Sequence, residues 1–271
     1  MSPKKLFPKE GLATEVDAAM VDTFAGIGRA LRSYFRGEVF EFSRLPQGPA
    51  LLVGNHNAGI TMFEPLLLAL SLYEERQELL HFLAHDAMLA MPVLGKMLRK
   101  AGVIRADHER AGEALADGRK VMVFPGGNHE AFRPFSQRHR VDFKGRKGFA
   151  RLALRHKIPI VPVLCLGGHE TFFVLRRGAR LARWTGVKKL LRSDSFPLFL
   201  GLPWGVGVGP IFHLPLPAKT IVEVGEPISV EEYPPGSHDD EELCRKLSAR
   251  VEAKVQEMMD AHAALKRSPW R

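Results

Sequence analysis

Cysteine is scarce. Cys165 and Cys244 are the two in a chain of 271 residues, which excludes a disulfide framework and a cysteine-rich metal site and points to a reducing compartment. Cys165 falls inside the apolar run Ile160-Val161-Pro162-Val163-Leu164-Cys165-Leu166, where a small buried hydrophobe is the expected reading. No continuous helical apolar stretch reaches the ~18 residues of a membrane-spanning helix. The segment Met1-Ser2-Pro3-Lys4-Lys5-Leu6-Phe7-Pro8 lacks the apolar core of a signal peptide. A Gly-x-Ser-x-Gly elbow is missing, which leaves a serine hydrolase unsupported. His-Glu-x-x-His is missing too, and His81, His85, His129 and His169 show no ligand spacing, so no metal is expected. There is no internal repeat and no low-complexity linker.

Negative charge is in deficit: 39 Lys+Arg stand against 30 Asp+Glu, a net charge of +9. Such a balance favours an anionic partner, whether phospholipid headgroups, nucleic acid or a phosphate-rich substrate. The deficit is local. From Thr171 to Ser193 there is no acidic residue, while Arg176, Arg177, Arg180, Arg183, Lys188, Lys189 and Arg192 alternate with apolar residues and Trp184. From Phe196 to Phe212 there is no charge at all, and the Pro and Gly content excludes an ordinary helix. An apolar loop beside a cluster of cations reads as a membrane-surface contact, with Arg176, Arg177, Arg180, Arg183, Trp184, Phe199 and Trp204 as the contacting residues. A groove-reading motif is lacking, so nucleic acid is not an expected partner.

The remaining pattern alternates short strands with helices. Val16, Met20, Phe24, Ile27, Leu31 and Phe35 form one stripe of an amphipathic helix over residues 14–36, which either packs on the domain or lies on a membrane. Strands are expected at Val39–Phe42, Ala50–Gly54, Leu80–Ala84, Gly102–Arg105, Lys120–Phe124, Ile158–Leu166 and Thr220–Gly225. Helices are expected from Pro65, at Met88–Lys100, Arg110–Asp117 and Arg146–His156, and over Asp239–Lys266 as a docking helix. The expected fold is α/β: a central, mostly parallel or mixed sheet with helices on both faces. Residues 1–37 form a helical extension and residues 38–271 a single domain.

Two strand ends carry the chemistry. Gly54-Asn55-His56 offers a histidine, whose ordinary pKa makes it a proton acceptor near neutral pH. Phe124-Pro125-Gly126-Gly127 offers a turn whose middle has no side chains, so a substrate can approach backbone N–H groups. Ligands collect at such strand ends in open α/β sheets. Glu64 is the nearest carboxylate downstream of His56. On one helix the two would lie ~12 Å apart, but Gly59 and Pro65 make residues 56–64 a loop that can fold Glu64 back onto the imidazole. The alternative is a turn histidine with an unrelated surface glutamate.

These strand ends belong to four ordered blocks: Gly54-Asn55-His56, Ala101-Gly102-Val103-Ile104-Arg105, Val123-Phe124-Pro125-Gly126-Gly127, and Ile158-Pro159-Ile160-Val161-Pro162-Val163. In order and rough spacing they resemble the glycerolipid acyltransferases, the lysophosphatidate acyltransferase-like (PlsC-type) superfamily, over roughly residues 48–230. Pro125-Gly126-Gly127 with Glu130, Arg146-Lys147-Gly148-Phe149, and Gly225-Glu226-Pro227-Ile228 look closest to the diacylglycerol acyltransferase-like branch.

The resemblance implies acyl transfer with His56 as base and Glu64 as its carboxylate, and Glu130 and Asp86 in reserve. Asn55, Arg105, Phe124, Pro125, Gly126, Gly127, Glu130 and Arg146 would contact substrate, with Arg105 and Arg146 on donor phosphates and glycine-turn N–H groups on the oxyanion. The co-substrate would be acyl-CoA or acyl-ACP (acyl carrier protein), with no bound cofactor and no metal. The partners would be an anionic membrane surface and a lipid acceptor, with the protein peripheral or monotopic on the cytoplasmic face.

Two departures carry weight. The family's aspartate position, fifth after His56, is Thr61, and the lysophosphatidate-type Phe-Pro-Glu-Gly-Thr-Arg block has Gly126 in place of its glutamate, with no arginine before Arg133. The missing arginine favours a neutral acceptor. Three readings stay open: neutral-lipid acyltransferase, lysophospholipid acyltransferase, and an inactive acyl-lipid-binding protein.

Overall fold

The computed structural model describes residues 16–57, 63–84, 86–178, 196–203, 205–209 and 214–264. Its centre is a seven-stranded sheet in the order β1-β10-β6-β2-β5-β3-β4. The strands are β1 (Glu38–Phe40), β2 (Ala50–Gly54), β3 (Leu80–Ala84), β4 (Ile104–Arg105), β5 (Lys120–Val123), β6 (Ile160–Leu166) and β10 (Ile221–Val224). From β6 through β2, β5 and β3 to β4 every pair is parallel. β10 runs antiparallel to β6 and carries β1 parallel to itself. β2 and β5 are buried along their whole length, which is why they read as unbroken apolar runs.

Successive side chains of a strand point to opposite faces, so each strand feeds two cores. Leu51, Val53 and Val121 pack with Ala111, Leu152, Leu247, Val251 and Val255. These come from α5 (His108–Ala116), α7 (Gly148–His156) and the long C-terminal helix Glu241–Ala264, labelled α9 here. Leu52, Met122, Val161 and Val222 pack on the other face with Leu67, Leu68 and Leu72 of α2 (Glu64–Arg76). Helices thus cover both faces, as the alternation of strands and helices leads one to expect. α9 docks through Leu247, Val251, Val255 and Met258, as expected of a docking helix.

α1 (Ala18–Tyr34) is capped by the Asp17 side chain, which accepts from the Met20 N–H at 3.0 Å, and it packs against α2. Its buried contacts are Val21, Ala25 and Gly28, and Ile27 is exposed. The buried face is therefore rotated from the expected stripe, because small residues let α1 approach α2 closely.

Four expectations need correction. The helical segment Met88–Lys100 is two helices, α3 (Asp86–Leu89) and α4 (Leu94–Lys100), with the break at Pro92, which has no N–H to continue a helix. The strand Val39–Phe42 ends at Phe40, because Glu41 takes a left-handed backbone (φ 55°) that starts a 3₁₀ turn. The apolar loop after Phe196 contains strands: β8 (Leu198–Gly201) and β9 (Gly205–Val208) form a hairpin that joins β7 (Phe173–Arg176) in a small antiparallel sheet. Gly207 makes that pairing possible, since a Cβ there would lie 2.3 Å from the Phe199 ring. Phe199 is fully buried against Phe172, so it cannot be the lipid contact expected of it.

Candidate functional site

β2 and β5 are neighbours in register, Val53 opposite Val123, so the segments that leave their carboxyl ends emerge side by side. Asn55 fixes the first of them. Its side-chain oxygen accepts from the Cys165 N–H and its amide donates to the Cys165 carbonyl, both at 2.8 Å, which clips the end of β2 to β6. Asn55 is wholly buried and serves the scaffold. Beyond it, His56 stands half-buried with its ring edge-on to Phe124, centroids 5.6 Å apart.

The imidazole Nδ1 faces the Asn57 carbonyl at 3.1 Å. A carbonyl only accepts, so this contact places the proton on Nδ1 and leaves the Nε2 lone pair to accept one. Burial pushes the His56 pKa from 6.5 down to about 4, opposed by the Asn57 backbone contact and helped by the Arg133 charge. The base is therefore neutral throughout the neutral range. For a group whose folded pKa is lowered, the competent form persists as pH falls and is lost only through that lower value. A reaction that uses this base is expected to hold a level kcat/KM from about pH 8 to about pH 5, with its acid limb near pH 4. A pH–rate profile with the limb near 6.5 contradicts it.

The carboxylates do not sit where sequence reasoning puts them. Glu64 opens α2 and is buried, and its Oε1 accepts from the Asn57 amide at 3.1 Å instead of meeting the imidazole. A Cβ on Gly168 would lie 2.2 Å from that oxygen, so glycine there makes room for the carboxylate. Burial raises the Glu64 pKa, and bonds from its own backbone, Asn57 and Gly168 oppose the rise. Asp86 is engaged at the surface with Arg105, at 2.7 and 2.9 Å. Glu130 accepts the His56 backbone N–H at 3.0 Å. Among the described residues no carboxylate bonds the imidazole; Thr61 lies outside them.

His56 borders a cavity of about 950 Å³ lined by both apolar and polar side chains. Phe24, Leu66, Phe82, Met88, Leu98 and Val103 are among its apolar lining; Asn128, His129, Lys144 and Arg146 are among its polar lining. Phe124, Pro125 and Gly127 join the lining beside His56, and Arg105 does not. A smaller cavity of about 100 Å³ between α1 and α2 shares Phe24, Leu66, Phe82, Leu98 and Val103 with it. The glycine turn also differs from expectation: the Gly127 N–H already donates to the Phe124 carbonyl at 3.0 Å and is not free for an oxyanion. Arg146 packs over that turn, donating to the Pro125 carbonyl at 2.6 Å, and a Cβ on Gly127 would lie 2.8 Å from its Nη1.

Asn57, Arg133 and His169 are the site-building residues that sequence reasoning missed. Arg133 is fully buried; its Nη2 donates to the His56 carbonyl at 3.2 Å and to Asn57 Oδ1 at 2.7 Å, and its Nε donates to His169 Nε2 at 2.9 Å. The one available signal was an arginine three residues after Glu130, at the spacing that pairs side chains on a helix. Among the described residues no three His, Cys, Asp or Glu side chains are grouped to hold a metal. Of the expected membrane-contact residues, Arg176 and Arg177 are described, whereas Arg180, Arg183, Trp184 and Trp204 lie outside the described residues.

The Acyltransferase family matches residues 38–166, a span that contains His56, the Phe124–Gly127 turn and Glu130. An uncharacterized protein of Mycobacterium tuberculosis is 35% identical over 231 residues, covering 84% of this chain and 62% of its own length. The chain thus spans less than two thirds of that relative. A human protein described as a DGAT1/2-independent enzyme synthesizing storage lipids is 24% identical, covering 83% of this chain and 61% of its own. In fold, the chain resembles the 1-acyl-sn-glycerophosphate (LPA) acyltransferase PlsC of Thermotoga maritima, with TM-score 0.56 at 17% identity over 90% of this chain and 80% of the other.

Proposed function

We propose that this chain, whose residues 38–166 match the Acyltransferase family, moves a fatty acyl group from an acyl thioester to the hydroxyl of a neutral glycerolipid at a membrane surface. The observation that carries the reading is His56, its Nε2 held as an acceptor, at the border of a cavity lined by both apolar and polar side chains. Nε2 takes the proton of the acceptor hydroxyl as its oxygen attacks the thioester carbonyl. The tetrahedral intermediate collapses and the C–S bond breaks. The imidazolium returns its proton to the departing thiolate, whose conjugate acid has a pKa of ~8.5 on the side-chain scale, so no stronger acid is required. The acyl chain lies along Phe24, Leu66, Phe82, Leu98 and Val103. Lys144 and Arg146 face phosphates of an acyl-CoA or acyl-carrier-protein donor.

A neutral acceptor is favoured because His129 stands where the lysophosphatidate-type block carries arginine. It bonds Asp142 at 3.0 Å, and burial holds its pKa below the ordinary value. The second reading, transfer to a lysophospholipid, draws on the same Lys144 and Arg146. One labelled acyl-CoA offered to monoacylglycerol, diacylglycerol, lysophosphatidate and a long-chain alcohol separates the two. Product on the neutral glycerolipids is expected, and a preference for lysophosphatidate would transfer the assignment to the second reading.

No helix among the described residues is long and apolar enough to cross a membrane. A peripheral membrane contact is supported by the β7–β8–β9 sheet, whose exposed side carries Leu200, Val206 and Val208 with Arg176 at its edge. Removing an exposed apolar side chain from lipid costs about 1.5–3 kcal/mol. The Leu200→Asp/Val206→Asp pair is therefore expected to weaken co-sedimentation with anionic vesicles by at least about tenfold. Unchanged sedimentation would remove this sheet from the account.

A further inference from the structure

We propose that Glu130 and Arg133 are positioning residues that clamp the main chain of His56, and that the Glu130 carboxylate does so from the space a side chain at position 126 would fill. The kinetic part of this proposal rests on the acyl-transfer reading; the geometric part does not.

Glu130 lies in α6 (Gly127–Ala131), and Arg133 follows three residues later. The two buried side chains face each other, Nη1 to Oε1, at 3.3 Å. Together they grip both peptide groups that flank the His56 Cα. Glu130 Oε2 accepts from the His56 N–H, and Arg133 Nη2 donates to the His56 carbonyl. The remaining capacity of each is used on the surrounding scaffold. Glu130 Oε1 also accepts from the Asp142 N–H at 3.0 Å, and Arg133 also bonds Asn57, His169 and the Arg140 carbonyl. A buried ion pair gives little net stability, because desolvation consumes most of the attraction. What it does supply is direction: with one peptide group bonded by each partner, the two together hold the Cα–Cβ bond of the base.

Position 126 explains where the carboxylate comes from. Gly126 has φ −64° and ψ −29°, an ordinary right-handed helical backbone that does not call for glycine. Space does. A Cβ at 126 would lie 2.1 Å from both Cγ and Oε2 of Glu130. In the phosphate-acceptor form of this block the acidic residue stands at position 126 itself. Here the residue is glycine, and a carboxylate from one turn onward occupies the vacated volume. The exchange of Glu for Gly at 126 and the presence of Glu130 are thus one feature.

Relocating the carboxylate tests this. Glu130→Ala, Glu130→Ala/Arg133→Met and Gly126→Glu/Glu130→Ala are compared with wild type, with folding checked by thermal melting. The double neutral variant serves where Glu130→Ala leaves Arg133 unpaired and unfolds. The readouts are kcat, KM for both substrates, and hydrogen exchange of the His56 amide in protein labelled with ¹⁵N-histidine.

Misplacement of a reacting group by ~1 Å costs about 10²-fold. Loss of Glu130 is expected to lower kcat by about that factor, with KM changed less than about threefold and the His56 amide exchanging faster. Returning a carboxylate at position 126 is expected to restore kcat to within about tenfold and the amide protection with it. Wild-type kcat in a folded variant lacking Glu130, a loss confined to KM, or a folded relocation variant without recovery overturns the clamp. An inert wild type whose His56 amide is nonetheless protected through Glu130 overturns the acyl-transfer reading and leaves the clamp standing.

Discussion

Replacing His56 by alanine is expected to lower kcat for acyl transfer by about 10²–10⁴-fold, the usual contribution of a positioned general base. The melting temperature should fall by only a few degrees, because the side chain is half-buried and its identifiable packing partner is Phe124, an aromatic contact of about 0.5–1.5 kcal/mol. The large kinetic effect follows from position. Nδ1 is tied to the Asn57 carbonyl, so Nε2 is the acceptor at the border of the cavity. Because burial keeps the ring neutral, almost every molecule carries a competent base at neutral pH. Product formation measured with saturating donor and acceptor, beside a thermal melt, checks both halves. A variant with His56→Ala that keeps wild-type kcat moves the chemistry elsewhere.

The second large effect concerns the apolar lining. Leu98 in α4 lines both the large cavity and the small one behind it, so a larger side chain there plugs their junction. Leu98→Trp is expected to displace roughly four methylenes of a long acyl chain from apolar contact. At about 0.8 kcal/mol each this is about 3 kcal/mol, or about 10²-fold in kcat/KM for a hexadecanoyl donor. A butanoyl donor, too short to reach that depth, should lose less than about threefold. Rates for the two donors, measured with one acceptor, give the comparison. Equal losses for both would mean that the mutation disturbs the base and that the cavity does not hold the chain.

How much of this was legible in the sequence depends on how far apart the partners lie. The strand ends at Gly54 and Val123 could be read because each is a buried apolar run cut short by small or polar residues, a local signal. Ala50–Gly54 and Leu80–Ala84 came out with their expected bounds for that reason. The hairpin of β8 and β9 could not be read this way. Gly201, Gly205, Gly207 and Gly209 argue against a strand by propensity, and the gain that outweighs them is contact with the Phe199 ring across the sheet.

The site shows the same division. His56 was legible, as was the exchange at Gly126, but the reason for that exchange is a carboxylate four residues on that bonds a backbone 74 residues away. Asn57 gave no signal, since its value lies in joining Glu64, seven residues on, to the Cys165 carbonyl, 108 residues away. Glu64 was expected to fold back onto the imidazole; it does fold back onto this loop, buried, but bonds Asn57 instead. Its carboxylate accepts from the side chain of Asn57, the residue after the histidine, and from backbone N–H groups.

The central claim is that His56 activates an acceptor hydroxyl against a thioester. It is tested most directly by thiol release from a long-chain acyl-CoA, with and without monoacylglycerol, in wild type and in His56→Gln. The account predicts release that requires both the acceptor and the intact histidine, with acylated glycerolipid formed in equal amount. Release that proceeds equally in both proteins, or that ignores the acceptor, contradicts it.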